Sequence, residues 1–291
     1  MAAETNLVKA EDLQKAREVV WIDRFTHDKL DKLIEALGVT RRVSLMEGTT
    51  IYAYEITGTL EDGNVAEGDI VPLSKFEQKK TPIGSATLFK WRKDVSAEAI
   101  SKSGYDQAII ATDNVLMRRV QKGIRTNMFG FMNGEISGAT SVSGALLQET
   151  LAKAWAQLQI KFEDDAAEPV YFLNPIDVSD YLASANITTQ TAFGMNYVKD
   201  FLGLGTVIMN SSVTAGTLVA TAKENIIMYY IPMTGDLGGA FNLTVDRLGL
   251  IGISSGNKNT ERAVIESLVM SGIQFAPEYA EGVVKGTISG G

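Results

Sequence analysis

Acid–base, nucleophilic and metal chemistry all need histidine, cysteine or converging carboxylates, and this sequence is poor in the first two. Cysteine is absent, which removes thiol nucleophiles, thiolate metal sites and disulfides together. The single histidine, His27, lies between Thr26 and Asp28 ahead of an amphipathic stretch. That is the setting of a solvated residue at a helix start, and a histidine-bound zinc or a Ser-His-Asp triad would have to rest on it. Glu163, Asp164, Asp165 and Glu168 could hold a divalent cation, but the run lacks the glycine and the twelfth-position glutamate of a calcium loop and reads as a solvated acidic turn. The glycine-rich spots Gly203–Gly205 and Gly235–Gly239 complete neither phosphate-cradling pattern, GxGxxG or GxxxxGK[ST], and read as turns. Sequons begin at Asn186, Asn210 and Asn242; with no secretory signal they are expected to be unused. Carboxylates scattered along the chain leave a carboxylate-dependent hydrolase open as an alternative.

Composition sets the wider bounds. The 291 residues are 45% hydrophobic and 21% charged, ordinary usage for a folded protein of one or two domains, able to bury roughly three quarters of its unfolded surface. No apolar run approaches the length of a membrane span, and the N-terminus lacks the charged-then-apolar pattern of a secretory signal, so synthesis in the cytoplasm is the expectation. The net charge of −8 argues against a dedicated nucleic-acid binder, although contact with DNA is allowed.

The elements follow from periodicity. In the segment from Leu7 to Leu37, Phe25, Leu30, Leu33, Ile34 and Leu37 recur at helical spacing and Gly38 supplies a stop. Ahead of them Val19, Val20, Trp21 and Ile22 form an apolar cluster that belongs either to the core or to a contact with a neighbouring subunit. From Thr50 the period changes to two, with Tyr52, Tyr54 and Ile56 on one face; a second alternating run places Ile83, Ser85, Thr87, Phe89 and Trp91 together. The two runs predict a hairpin, and the long polar stretch between them predicts a projecting β-arm. Gly104 to Met132 carries Ile109, Thr112, Leu116, Val120, Ile124 and Phe131 at helical period, a spine helix on the order of 40 Å long. A Gly- and Ser-rich connector follows, with Ser143 as the expected cap of a helix striped by Leu147, Leu151, Ala154, Trp155 and Leu158. Further on come a buried strand at Val170–Leu173, a helix from Ile176 to Ala185, strands near Val207–Met209, Thr217–Thr221, Ile226–Ile231 and Leu250–Ile253, and a last long strand at Arg262–Ser271. Helices and strands mixed without a βαβ repeat indicate an α+β fold.

The segments VAEGDIVPLSKFEQKKTPIGSATLFKWRKDVSAEAI, VYFLNPIDVSDYL, TVIMNSSVTAGTLVATAKENIIMYY and ERAVIESLVMSGIQFAPEYAEGVVKGTI, in this order over more than 200 residues, resemble the major capsid proteins of tailed bacteriophages, the fold named after Hong Kong phage ninety-seven. The resemblance implies an N-terminal arm and helix (1–45), an extended β-hairpin arm (46–92), a peripheral domain with the spine helix (93–142), an axial domain (143–258) and a return to the peripheral domain (259–291). It implies a non-enzymatic subunit, without cofactors, that self-assembles as pentamers and hexamers into an icosahedral virion shell around double-stranded DNA. A portal and a separate scaffolding protein would be its partners, the latter expected because the chain begins at Met1 with no long helical prefix. An encapsulin-like nanocompartment shell is the alternative with the same fold. The second glycine-rich spot would then lie near a ring axis.

The arm keeps Leu60, Val65, Ile70, Val71, Leu73 and Phe76 with too little surface to form its own core, so these side chains, with Trp21, are expected to be buried against another subunit. Some members of the family cross-link a hairpin lysine to a neighbour's asparagine. Lys75, Lys79 and Lys80 are the lysines so placed here, but no motif selects an acceptor and they read as solvated loop lysines.

Overall fold

The computed structural model describes residues 22, 29–162, 168–184 and 188–289. In chain order its elements are α1 (Lys29–Leu37), β1 (Arg41–Ser44), β2 (Thr50–Thr59), β3 (Lys75–Ser85), β4 (Phe89–Ser96), α2 (Ala97–Ser103), α3 (Tyr105–Met128), β5 (Thr140–Gly144), α4 (Leu147–Lys161), β6 (Pro169–Leu173) and α5 (Pro175–Ser184). There follow β7 (Gln190–Ala192), β8 (Met195–Val198), β9 (Thr206–Met209), β10 (Thr217–Ala222), β11 (Ile226–Tyr230), α6 (Asp236–Ala240), β12 (Thr244–Val245), β13 (Ile251–Asn259), β14 (Val264–Ser271), β15 (Ile273–Pro277) and β16 (Val283–Ile288).

Strand β6 organises the body. All five of its residues are buried, the signature of a strand covered on both faces. Because side chains alternate, Val170 and Phe172 enter the larger core with α1, the C-terminal half of α3 and β15, while Tyr171 and Leu173 enter a second core under α4 and α5. The surrounding sheet has the order β5-β16-β10-β6-β9-β8-β7. In it β6 runs parallel to β9 and antiparallel to β10, and β16 runs parallel to β5. The chain's last strand is thus held between 140–144 and 217–222. Three further sheets are described: β1-β11-β15, β12-β13-β14-β4, and the hairpin β2-β3.

The local signals explain most boundaries. Leu30, Leu33, Ile34 and Leu37 of α1 are buried. Its end is a Schellman turn in which Gly38 N–H donates to Glu35 O (2.9 Å) and Val39 N–H to Ile34 O (3.1 Å), with Gly38 at φ 66°. Ser96 caps α2 through its hydroxyl, which accepts from Ala99 N–H. Pro175 begins α5, where a missing N–H costs nothing, and Asn174 Oδ1 accepts from Ile176 N–H at 3.1 Å. The β7–β8 turn is the two-residue pair Phe193-Gly194, with φ of 47° and 73°. Phenylalanine is strained there, and it is held by full burial of its ring and by Arg125 Nη1 donating to its carbonyl at 2.8 Å.

Several expectations are corrected. The run Ile83–Trp91 is not one strand: Lys75–Ser85 pairs with β2, the chain breaks at 86–88, and Phe89–Ser96 pairs with β14. Strand β3 begins well inside what reads as polar loop, because Lys75 to Lys80 carry alternating charge and little apolar pattern. The helix after the connector is not capped by Ser143, which lies in β5; Glu149 Oε2 instead accepts from Ala145 N–H at 2.8 Å. The spine helix ends at Met128, where Phe129 leaves helical geometry and a 3-10 turn, Gly130–Asn133, follows. Within the expected apolar stripes, Thr112 is exposed and its hydroxyl donates back to Ala108 O, and Trp155 is 39% exposed.

Candidate functional site

The hairpin is rooted in the body and free at its tip. At the root, Thr49 and Ala86 exchange backbone hydrogen bonds with their neighbours across the base, as Ala86 N–H donates to Thr49 O at 2.8 Å. Ile51 and Ala53 are buried. A bulge between Ile51 and Tyr52 leaves Ile83 as the extra residue on β3, packed against the main core. Pro82, which has no N–H to donate, sits beside it, where a bulge tolerates proline. Tyr54 N–H donates to Glu278 O at 2.6 Å, and Glu278 is itself gripped by the guanidinium of Arg41, whose Nη1 donates to Oε1 at 2.7 Å. Beyond Tyr54 the arm is tied to the body by no further backbone bridge among the described residues. At ~3.4 Å per residue, the strand from Glu55 to Thr59 alone carries the loop roughly 17 Å outward.

That loop, residues 60–74, and the start of β3 display the apolar side chains named from sequence. Leu60 is 83% exposed, Ile70 92% and Leu73 93%; Val65, Val71 and Phe76 are exposed as well. Single exposed aliphatics are ordinary, whereas several of them close together on one projecting element are not. The lysines of β3 are also exposed. Lys75 pairs with Glu77, Lys79 lies 3.6 Å from Glu55, and Lys80 Nζ sits 4.9 Å from the centroid of the Tyr52 ring. Exposed pairs of this kind are worth 0–1 kcal/mol as an order-of-magnitude estimate, about the level of local solvated contacts. Trp21 lies outside the described residues, as do His27 and Glu163, Asp164 and Asp165. Of the Val19–Ile22 cluster, Ile22 is described and belongs to the main core.

Several polar groups elsewhere tie elements of the fold together. Asp246 is buried and accepts from Leu250 and Ile251 N–H, both at 2.7 Å, and from Leu248 N–H at 3.2 Å. Burial pushes its carboxyl above the usual carboxylate range, opposed by those same hydrogen bonds. Asn225 ties β11 to the C-terminal turn: its Oδ1 accepts from Tyr279 N–H at 2.7 Å and its Nδ2 donates to Tyr279 O and to Thr221 Oγ1, both at 3.0 Å. Glu168 of the acidic run pairs with Lys223. Gly203 and Gly205 lie in a turn at positive φ, and Gly235, also at positive φ, is the N-cap of α6, which contains Gly238 and Gly239. Among the described residues no group of three or more histidine, cysteine, aspartate or glutamate side chains could hold a metal, and no helix is long and apolar enough to cross a membrane.

No protein-family model matches the sequence, and no curated protein matches it. Solved structures do match. The capsid of a native GTA particle is similar over 88% of this chain and 90% of its own, with TM-score 0.54 and 8% identity. The SrpI encapsulin of Synechococcus elongatus is similar over 99% of this chain and 92% of its own, with TM-score 0.52 and 10% identity. Gordonia phage Cozz gives TM-score 0.51 over 88% of this chain and 86% of its own, at 12% identity. The chain has the α+β fold of these shell proteins, the fold that its sequence resembles.

Proposed function

We propose that the chain is a shell subunit, the major capsid protein of a tailed bacteriophage, whose copies assemble as pentamers and hexamers into a closed icosahedral container for double-stranded DNA. A separate scaffolding protein and a portal complete the assembly system in this reading, and no catalytic step belongs to it. The observation that carries it is the projecting arm, whose Leu60, Ile70 and Leu73 are left almost wholly exposed by the described residues. Burying a large aliphatic side chain contributes about 1.5–3 kcal/mol, so three give several kcal/mol. Association of two free proteins costs about 4–15 kcal/mol in lost motion. One arm contact therefore makes a weak dimer, whereas a closed lattice in which every copy gives and receives an arm multiplies the contacts without repeating that loss.

An encapsulin-like compartment is the second reading, favoured by the match to the SrpI encapsulin along nearly the whole of both chains. Electron microscopy of the purified protein, alone and with its genomic neighbours co-expressed, tests the shell. Megadalton closed particles are expected, and a chain that remains monomeric under every assembly condition overturns it. Nuclease-resistant DNA inside particles made in the presence of the packaging genes supports the phage reading; particles filled with a co-encoded enzyme support the compartment.

A further inference from the structure

Asp62 and Gly63, in the arm loop, form the only Asp–Gly pair in the sequence. Such a pair is open to a reaction in which the backbone nitrogen after the aspartate attacks the side-chain carboxyl carbon. Glycine permits the attack because no Cβ crowds that nitrogen and its backbone turns freely. On the same loop Asn64 and Asp69 precede Val65 and Ile70, whose branched Cβ stands in the way. The structure adds three conditions. Every residue from 61 to 70 is exposed, so water reaches the site. Asn64 N–H donates to Asp62 Oδ1 at 2.9 Å, an Asx turn that folds the carboxyl back across the Gly63 peptide. Gly63 N–H itself donates to no acceptor among the described residues, which leaves the attacking nitrogen uncommitted. The one Asn–Gly pair, Asn133 and Gly134, is placed differently: Gly134 N–H donates to Phe131 O at 3.3 Å at the end of the 3-10 turn.

We propose that Asp62 is a site of spontaneous isoaspartate formation in the folded chain. Gly63 N gives up its proton and bonds to Asp62 Cγ, one carboxyl oxygen departs as water, and a five-membered succinimide closes. Water then adds to either carbonyl of the ring. Opening the bond between the nitrogen and Cγ restores aspartate. Opening the bond between the nitrogen and the former main-chain carbonyl carbon leaves the chain running through Cγ, with a carboxylate attached directly to Cα. No atom is gained or lost overall, and the reaction needs only water. The product carries one more methylene in its main chain and has lost the side-chain carboxyl that accepts from Asn64 N–H. The change stays within the loop, beyond the last backbone bridge to the body at Tyr54.

Peptide mapping of aged protein tests the site. The dilute natural chain is held at neutral pH and physiological temperature, folded in buffer and in parallel unfolded in urea, and sampled over days. Trypsin releases residues 43–75 as one peptide, since cleavage falls after Arg42 and Lys75. Its aspartate and isoaspartate forms have equal mass but separate on chromatography, and an endoprotease that cuts ahead of aspartate cuts only the first at position 62. Isoaspartate at Asp62 is expected to accumulate in the folded chain at a rate within about threefold of that in urea, because no native hydrogen bond of Gly63 has to open. Deamidation at Asn133 in the same samples is expected to be about threefold to tenfold slower in the folded chain than in urea, because the Gly134 N–H bond must open first. Gly63→Val should lose the signal with an unchanged melting temperature: Gly63 is not at positive φ, and a Cβ there would meet only Val71 Cγ1, at 3.9 Å. Asp62→Glu, which would have to close a six-membered ring, should lose it as well. Isoaspartate that forms at position 62 in urea but not in the folded chain overturns the proposal, as does its absence from both. A signal that persists in Gly63→Val, or that falls on Asn64 or Asp69 instead, overturns it too.

Discussion

Strand β6 and the arm loop both carry several large apolar side chains, and the two put them to opposite use. In β6 every residue from Pro169 to Leu173 is buried, divided by the pleat between two cores. In the loop, Leu60, Ile70 and Leu73 stand almost wholly in water, on a two-stranded ribbon of the kind that is at best marginally stable alone. Composition separates them in part, since the loop also carries Glu61, Asp62, Glu67 and Asp69 and β6 carries no charge. They differ as well in how many neighbouring strands each segment has: β6 lies between β9 and β10, whereas β2 and β3 form a sheet of two. The first region uses its apolar surface in the fold of one chain, and the second leaves its own in water.

The contrast breaks most visibly at Phe172. Its ring is fully buried and lies 5.4 Å from the ring of Phe129 and 6.2 Å from that of Phe131, tying the central sheet to the end of the spine helix. Phe172→Ala removes those contacts and leaves a cavity that the close-packed sheet cannot collapse around, and it should cost about 3–5 kcal/mol. Urea unfolding of the monomeric protein measures this. A loss below about 1 kcal/mol would mean that β6 is not the keystone of both cores.

A smaller effect comes from the buried carboxylate of Asp246, at the base of a turn in the same body. Its pKa is raised in the folded chain, chiefly by burial, so the folded state holds the proton more tightly than the unfolded state does. The stability this group contributes is therefore fully present below the unfolded aspartate value of about 3.9 and is lost as pH rises through the higher folded value. Asp246→Asn does not titrate there and keeps an oxygen to accept from Leu250 and Ile251 N–H. The stability of the natural chain relative to this variant should fall with rising pH across that window and level off above it. Denaturant unfolding of both chains from pH 4 to pH 8 checks the slope; a difference that is flat or rises with pH contradicts it.

How far the sequence revealed these regions follows from what each signal depends on. The periodic elements were legible, because Leu30, Leu33, Ile34 and Leu37, or the run Val170–Leu173, announce their burial through local spacing. The arm's outline was legible as well, from alternation at Tyr52–Ile56 and turn formers after Thr59. The strand partner was not. Lys75–Lys80 pairs with β2 although its side chains are charged, since hydrogen bonding between backbones leaves no mark on side-chain polarity. The break at 86–88, which hands Phe89–Ser96 to β14, depends on a strand far along the chain. The root contact of Arg41 with Glu278 spans 237 positions, beyond any local pattern. Along α3 the cations Arg118, Arg119 and Lys122 are exposed while Arg125 is half-buried against the Phe193 carbonyl, a division that counting charge along the helix does not give.

The smallest effect on the folded chain, and the one that sharpens the comparison most, belongs to the arm tip. Replacing Leu60, Ile70 and Leu73 together by serine removes three aliphatic side chains that touch little of their own chain. Surface substitutions of this kind usually change stability by less than about 0.5 kcal/mol each, so the melting temperature of the monomer should be nearly unchanged. Assembly should respond far more strongly, because each lost burial between copies removes about 1.5–3 kcal/mol and the lattice repeats the loss at every contact. Particles should be absent at concentrations where the natural chain forms them, while the soluble variant keeps its circular dichroism and its unfolding transition. If the variant unfolds as readily as Phe172→Ala, the tip belongs to the fold after all; if it assembles as well as the natural chain, the exposed aliphatics are not what holds the copies together.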